Sequence, residues 1–260
     1  MAANGISNCP EQEGMEDVLA IVLAAGRGER MKSELPKVLV PVRGRPMIDY
    51  VLDALAAAQV PRVVVVVGHQ AAQVRAHLAG RPGVEFALQA EQLGTGHAVR
   101  CCWPQLEEHH GPVLVLTGDS PTVRPATLQA LVGEFRRYQA TCLLGTGYKE
   151  HPQGLGRIVR DTQGDFSSII EEKDADAAQR AIREVNLSCY VFDPQALLWA
   201  LEGLNNRNAQ RQYYLTDAPG LLKARGDRVV ALPLLKGTEV LSINTPQELA
   251  EVEAAWDQHS

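Results

Sequence analysis

The residues best placed to do chemistry lie early in the chain, in residues 23–31 (Leu-Ala-Ala-Gly-Arg-Gly-Glu-Arg-Met), followed by Pro36 and Lys37. Small side chains let a ligand approach the backbone, successive peptide N–H groups can form an anion nest, and Arg27, Arg30 and Lys37 add positive charge. That chemistry is the binding and neutralisation of phosphates. Two better-known phosphate loops fail here at one residue. A Walker A loop needs glycine where Met31 stands, before Lys32 and Ser33, and the dinucleotide fingerprint needs a glycine or alanine at the same place. Taken alone, the loop reads equally well as a tight strand-to-helix turn with solvated arginines.

Other polar residues are ambiguous by themselves. Asp119, in Gly118-Asp119-Ser120-Pro121, and Asn244, ahead of Thr245 and Pro246, both have turn or cap composition. His109 and His110 are neighbours, share no helix face and have no spaced ligand partners, so they read as surface residues. His97 reads as hydrogen-bonded in a first helical turn, and Cys101-Cys102 as packing.

Composition narrows the classes. The 260 residues are 45% hydrophobic and 22% charged, and 25 Lys+Arg against 31 Asp+Glu give a net charge of −6. This describes a globular chain with a sizeable core, and argues against a non-specific nucleic-acid binder or a basic membrane-surface protein. Five scattered cysteines without a C-x-x-C pair point to a reducing cytoplasm. Residues 1–16 are polar with no basic residue, and are expected to be a frayed leader rather than a signal or transit peptide. No apolar run is long enough to span a bilayer.

The elements that must position these residues follow from periodicity. Apolar runs at 18–23, 63–67, 84–88 and 113–117 read as strands, with amphipathic helices at 47–58, 71–78, 98–106 and 126–138. Such βαβ units imply a doubly wound, mainly parallel sheet, whose ligands sit at the carboxyl ends of its strands. From residue 141 the pattern changes to strands at 141–147, 156–160, 167–171 and 185–192. They predict a mixed or antiparallel extension of the sheet. Helices at 194–201 and 216–224, strands at 229–232 and 240–243, and a final helix from Pro246 capped by Thr245 complete one domain over residues 17–260.

The segment 23–31, Pro36-Lys37 and Leu88-Gln89-Ala90-Glu91-Gln92-Leu93-Gly94-Thr95-Gly96-His97-Ala98 together resemble the sugar-1-phosphate nucleotidyltransferases. Within them the similarity is to the uridylyltransferase domains that make UDP-N-acetylglucosamine. It continues through Leu116-Thr117-Gly118-Asp119, residues 154–158, 170–174, 184–186 and 208–217. The fold this implies is α/β, Rossmann-like and glycosyltransferase-A-like. Several positions depart from the pattern. Leu187-Ser188 replaces the usual Thr-Gly, Thr117 and Leu155 stand where tyrosines are common, and the turn over 160–168 is one residue longer. The hexapeptide repeats of an acetyltransferase β-helix do not follow before Ser260, so acetyl transfer is not expected.

The resemblance implies nucleotidyl transfer from UTP to N-acetylglucosamine-1-phosphate with release of pyrophosphate, and small-molecule substrates rather than nucleic acid or membrane partners. It places Arg27 and Lys37 on the phosphates as catalytic groups with Asp119, and pairs Asp119 with Asn244 as ligands of Mg²⁺. It places the nucleotide on Leu23, Ala24, Ala25, Gly26, Gln89, Gly94, Thr95 and Gly118, with Gln89 offering a donor and an acceptor to the base. The sugar falls to Gly156, Glu171 and Asn186, although Glu171 could instead pair with Lys173 or Arg157. The departures gather on the sugar side, leaving open another sugar 1-phosphate or another nucleotide. A non-catalytic regulatory protein that binds sugar nucleotides is the alternative from another class.

Overall fold

The computed structural model describes residues 14–257. Eleven strands are formed among them: β1 (Leu19–Ala24), β2 (Pro41–Val42), β3 (Arg45–Pro46), β4 (Arg62–Val67), β5 (Val84–Leu88), β6 (Val113–Thr117), β7 (Cys142–Tyr148), β8 (Arg157–Arg160), β9 (Phe166–Ile170), β10 (Glu184–Phe192) and β11 (Val229–Leu232). The helices are α1 (Met47–Ala57), α2 (Ala71–His77), α3 (Thr95–Arg100), α4 (Trp103–Glu107), α5 (Pro125–Arg137), α6 (Ala177–Arg180), α7 (Pro194–Gly203), α8 (Ala218–Arg225) and α9 (Pro246–Asp257). No helix among the described residues is long and apolar enough to cross a membrane.

Nine of these strands form one sheet with the order β11-β7-β10-β6-β1-β4-β5, while β8 pairs with β10 and β9. β1 lies parallel to β4 and β6, and β4 parallel to β5. Val63–Val67 is buried, as a strand covered on both faces must be. β10 runs antiparallel to β6, β7 and β8, and β8 antiparallel to β9. The expected parallel half and antiparallel extension are therefore both present. Two apolar cores cover the two faces: one gathers Ala20, Val22, Val65, Leu55 and Leu128, the other Ile21, Val64, Val115, Tyr190 and Leu197.

Three expectations need correction. Residues 240–243 are not a strand: Gly237–Val240 is a turn of 3-10 helix, and Leu241–Ile243 pairs with no strand. Gly237 has φ +59, and the Glu239 carboxylate accepts from the Arg124 backbone N–H at 3.0 Å, which turns the chain away from the sheet edge. The helix expected over 98–106 is broken into α3 and α4, with Pro104 in the first turn of α4, where its missing N–H costs nothing. The leader expected over 1–16 falls largely outside the described residues, but Met15 is buried in the first core and the Gly14 carbonyl accepts from Arg136 at 2.7 Å. Packing thus begins before residue 17.

A third, smaller cluster matters for the site. Met31 from the end of the glycine loop, Val40, Val42 and Met47 pack with Ile243 and with Val252 of α9. The start of α9 is fixed by a reciprocal cap, in which the Glu248 N–H donates to the Thr245 hydroxyl at 3.2 Å and the Thr245 N–H to the Glu248 carboxylate at 3.1 Å. The Asn244 N–H donates to the same carboxylate at 2.6 Å. Apolar packing on one side and this cap on the other bring the residue between them, Asn244, to the mouth of the glycine loop.

Candidate active site

The carboxyl ends of β1, β5 and β6 open into one cleft of about 830 Å³, within the usual size of a small-molecule site. Its wall includes Leu23 and Ala24 at the end of β1 with Ala25, Gly26 and Arg27 following, Gln89 after β5, and Thr117 and Asp119 at the end of β6. Lys37, Gly94, Thr95, Glu171 and Asn244 complete it from other segments. Open α/β sheets bind ligands at this end because successive loops splay apart there.

One cationic group ties three segments together. Lys37 Nζ donates to the Asp119 carboxylate and, at 2.7 Å, to Asn244 Oδ1. Arg30 donates to the same Asn244 oxygen at 3.0 Å. Gly28 makes this approach possible: it sits at φ +63, and a Cβ there would lie 2.6 Å from Lys37 Cβ. Burial of Val38 and Leu39 behind Lys37 anchors the lysine backbone. Burial alone would raise the Asp119 pKa, but the charge and hydrogen bond of Lys37, with help from Thr117, hold the carboxyl below its ordinary range. Asp119 is thus an anion turned towards Lys37, rather than the turn cap its local sequence suggests.

Arg27 is exposed on the cleft wall and has no partner among the described residues. The sequence marks Arg30 for its charge but does not place it among the site residues. The only signal for it was its position in the glycine loop, since its partner lies 214 residues away.

On the side expected to receive the nucleotide the glycines are fixed by packing. A Cβ on Gly94, at φ +112, would lie 2.5 Å from the Tyr213 carbonyl oxygen, and one on Gly96 would lie 2.4 Å from Leu204 Cδ1. The close approach is held by Tyr213 N–H donating to Leu93 O and Gly96 N–H to Tyr213 O, both at 2.8 Å. Thr95 does not cap α3; its hydroxyl accepts from the Leu215 N–H at 3.0 Å. The Gln89 amide nitrogen is engaged at 3.0 Å with both the Gly94 carbonyl and the His97 ring. Gln89 therefore does not offer its donor freely as expected, and shapes the wall through Gly94 instead. Gly118 lies beneath the cleft wall: its N–H donates to Leu23 O at 2.9 Å, and a Cβ would meet Val38 at 3.1 Å.

The three expected sugar residues come together in space, although only Glu171 reaches the cleft wall. A Cβ on Gly156 would lie 3.5 Å from Asn186 Cβ and 3.6 Å from Glu171 Oε1. Glu171 pairs with neither Arg157 nor Lys173. It accepts from the Thr216 hydroxyl at 2.9 Å, while Arg157 pairs with Glu172 at 2.6 Å. Burial pushes the Glu171 carboxyl up, opposed by Thr216 and aided by the negative charges of Asp217 and Asp174. Asn186 is 5% exposed, below the cleft surface.

Two hard oxygen donors, the Asp119 carboxylate and the Asn244 amide, converge on a single cationic nitrogen. That donor set fits a magnesium ion, which keeps several positions for water and phosphate oxygens. Among the described residues no group of three or more His, Cys, Asp or Glu side chains forms a denser alternative.

A mixed α/β sheet with a glycine loop after its first strand and a cation–carboxylate cluster beside it is an arrangement suited to binding phosphates at the carboxyl ends of the strands. The chain belongs to the MobA-like NTP transferase domain family, whose pattern matches residues 20–188. It is 46% identical over 237 residues to the bifunctional protein GlmU of Pelotomaculum thermopropionicum and 47% identical over 235 residues to that of Heliobacterium modesticaldum. These matches take in 91% and 90% of this chain, which spans about half (51%) of each relative. The fold is shared with a UDP-glucose pyrophosphorylase complexed with UDP-glucose, at a TM-score of 0.74 and 15% identity, covering 94% of this chain and 100% of that one. A putative glucose-1-phosphate thymidylyltransferase from Bacillus anthracis has a TM-score of 0.73 and 17% identity, covering 91% and 94%.

Proposed function

We propose that this chain transfers the uridylyl group of UTP to N-acetylglucosamine-1-phosphate, giving UDP-N-acetylglucosamine and pyrophosphate. The observation that carries the reading is the meeting of Lys37, Arg30, Asp119 and Asn244 beside the glycine loop. The similarity to GlmU proteins and the motif resemblance select the substrates.

A sugar-phosphate oxygen attacks the α-phosphorus, a P–O bond forms, and the bond to pyrophosphate breaks in line. A phosphate monoester has a second pKa of about 6, so at neutral pH the attacking group is already ionised and no general base is needed. The difficulty is bringing anions together. Backbone N–H groups of the glycine loop cradle the triphosphate, and Arg27, Arg30 and Lys37 offset charge on the equatorial and leaving oxygens. Asp119 and Asn244 would hold Mg²⁺, which supplies charge neutralisation and a template for the two phosphates. Glu171 accepts from a sugar hydroxyl, and the wall formed by Gln89, Gly94 and Thr95 receives the base.

The test is pyrophosphate release with UTP, Mg²⁺ and N-acetylglucosamine-1-phosphate, run beside glucose-1-phosphate, glucosamine-1-phosphate and the other triphosphates, with chelator controls. Metal-dependent turnover greatest on the first pair is expected. Preference for another sugar would keep the phosphate chemistry and overturn the sugar assignment. Nucleotide binding without turnover on any pair would favour a regulatory protein.

A further inference from the structure

Asn186 and Tyr190 are four residues apart on β10, a span of about 13 Å in a regular strand. The pairing of β10 with β7 is irregular: Asn186 faces Thr146 and Cys189 faces the next residue, Gly145. Leu187 and Ser188 are therefore extra residues looped out of the ladder. With them removed from the count, Asn186 and Tyr190 become near neighbours on the same face of the sheet. The Asn186 amide nitrogen donates to the Tyr190 hydroxyl at 2.7 Å.

The bulge also fixes the other end of the amide. Ser188 adopts φ +53, a left-handed conformation uncommon for a residue with a Cβ, and its N–H donates to Asn186 Oδ1 at 3.2 Å. A backbone N–H can only donate, so the amide oxygen must face Ser188 and the nitrogen must face Tyr190. One amide N–H and one oxygen lone pair remain for other partners. Asn186 packs beside Gly156, which in turn borders Glu171 on the cleft wall.

We propose that Tyr190 is a positioning residue for recognition of the sugar 1-phosphate, its buried hydroxyl holding the Asn186 amide in one orientation beneath Gly156 and Glu171. This rests on the function proposed above, and specifically on Asn186 serving the sugar. Tyr190 is 1% exposed and packs beside Phe192, with ring centroids 5.7 Å apart. Filling the core would require only the ring. The hydroxyl is what reaches Asn186.

The experiment is steady-state pyrophosphate release by the full chain and by Tyr190→Phe, varying each substrate in turn. Loss of one hydrogen bond that orients a ligand group should raise KM for N-acetylglucosamine-1-phosphate about fivefold to tenfold, with kcat and the UTP KM changed by less than about twofold. In an Asn186→Ala background the same substitution should add nothing, because the group it positions is gone. An unchanged sugar KM in Tyr190→Phe, or equal effects in both backgrounds, overturns the proposal. If Tyr190→Phe does not fold by circular dichroism, Tyr190→Met removes the hydroxyl with a flexible filler and carries the same expectation. Absence of turnover by the unsubstituted chain on every sugar 1-phosphate overturns the function reading and this role with it. Turnover by the unsubstituted chain with an unaltered sugar KM in Tyr190→Phe overturns the positioning role alone.

Discussion

The two walls of the cleft are built by different means. On the proposed nucleotide side the surface is mostly backbone and small residues: Ala24, Ala25 and Gly26 at the end of β1, and Gly94 packed against Tyr213. On the proposed sugar side it rests on polar side chains already bonded to one another, with Glu171 to Thr216, Asn186 to Tyr190 and Arg157 to Glu172. A backbone wall recognises groups common to every nucleotide and tolerates little added volume. A wall of side chains can change its selectivity through single substitutions, and two of the departures from the family pattern, Leu187 and Ser188, form the bulge beside Asn186.

The largest effect is expected at the junction of the two walls. Asp119→Ala removes the carboxylate that faces Lys37, and turnover should fall roughly 10³-fold while circular dichroism stays unchanged. Near-normal pyrophosphate release would remove Asp119 from the reaction. The next effect is steric. Gly94→Ala places a methyl group 2.5 Å from the Tyr213 carbonyl at a positive φ, which should destabilise the chain by about 2 kcal/mol or more, read as a lower melting temperature. The UTP KM should rise with it. A stable variant with normal UTP affinity would show that the wall yields more than its packing implies.

The smallest effect sharpens the sugar side. Burial holds the Glu171 carboxyl above its ordinary pKa, so the folded state binds this proton more tightly than the unfolded chain does. Its contribution to stability is complete below the unfolded value and declines as pH rises through the window up to the raised folded value. Glu171→Gln removes that decline. Its melting temperature should therefore gain on the parent chain as pH rises from about 4.3, the ordinary glutamate value, and the gain should level off above the raised value. Sugar KM should rise at the same time. A constant difference in melting temperature between the two proteins at all pH values would show that Glu171 is not perturbed.

Much of the nucleotide wall was legible in the sequence. The β-branched run Val63–Val67, bounded by Gly68, could only be a buried strand, and a glycine loop after the first such strand marks the ligand end of a doubly wound sheet. The Thr245 cap of α9 was equally local, because it needs only residues 245–248. The sugar wall was less legible. Its residues were named by resemblance, but not the bulge that joins Asn186 to Tyr190, nor the choice of Thr216 over a cation as the partner of Glu171.

What the sequence determined by itself is what local sterics and periodicity dictate: the alternation of strands and helices through the parallel half, the glycine loop at Gly26 and Gly28, and the positive charge around it. Only the tertiary structure decided which charges meet. Lys37 finds Asp119 82 residues away and Asn244 207 residues away, and Arg30 finds Asn244 across 214 residues. Asn244 arrives there because Ile243 and Val252 pack on Met31 and Met47, not because a strand delivers it. Backbone periodicity carries no record of such a contact. It is set by how separate apolar faces close on each other, and the polar groups between them pair with whatever that closure brings within reach.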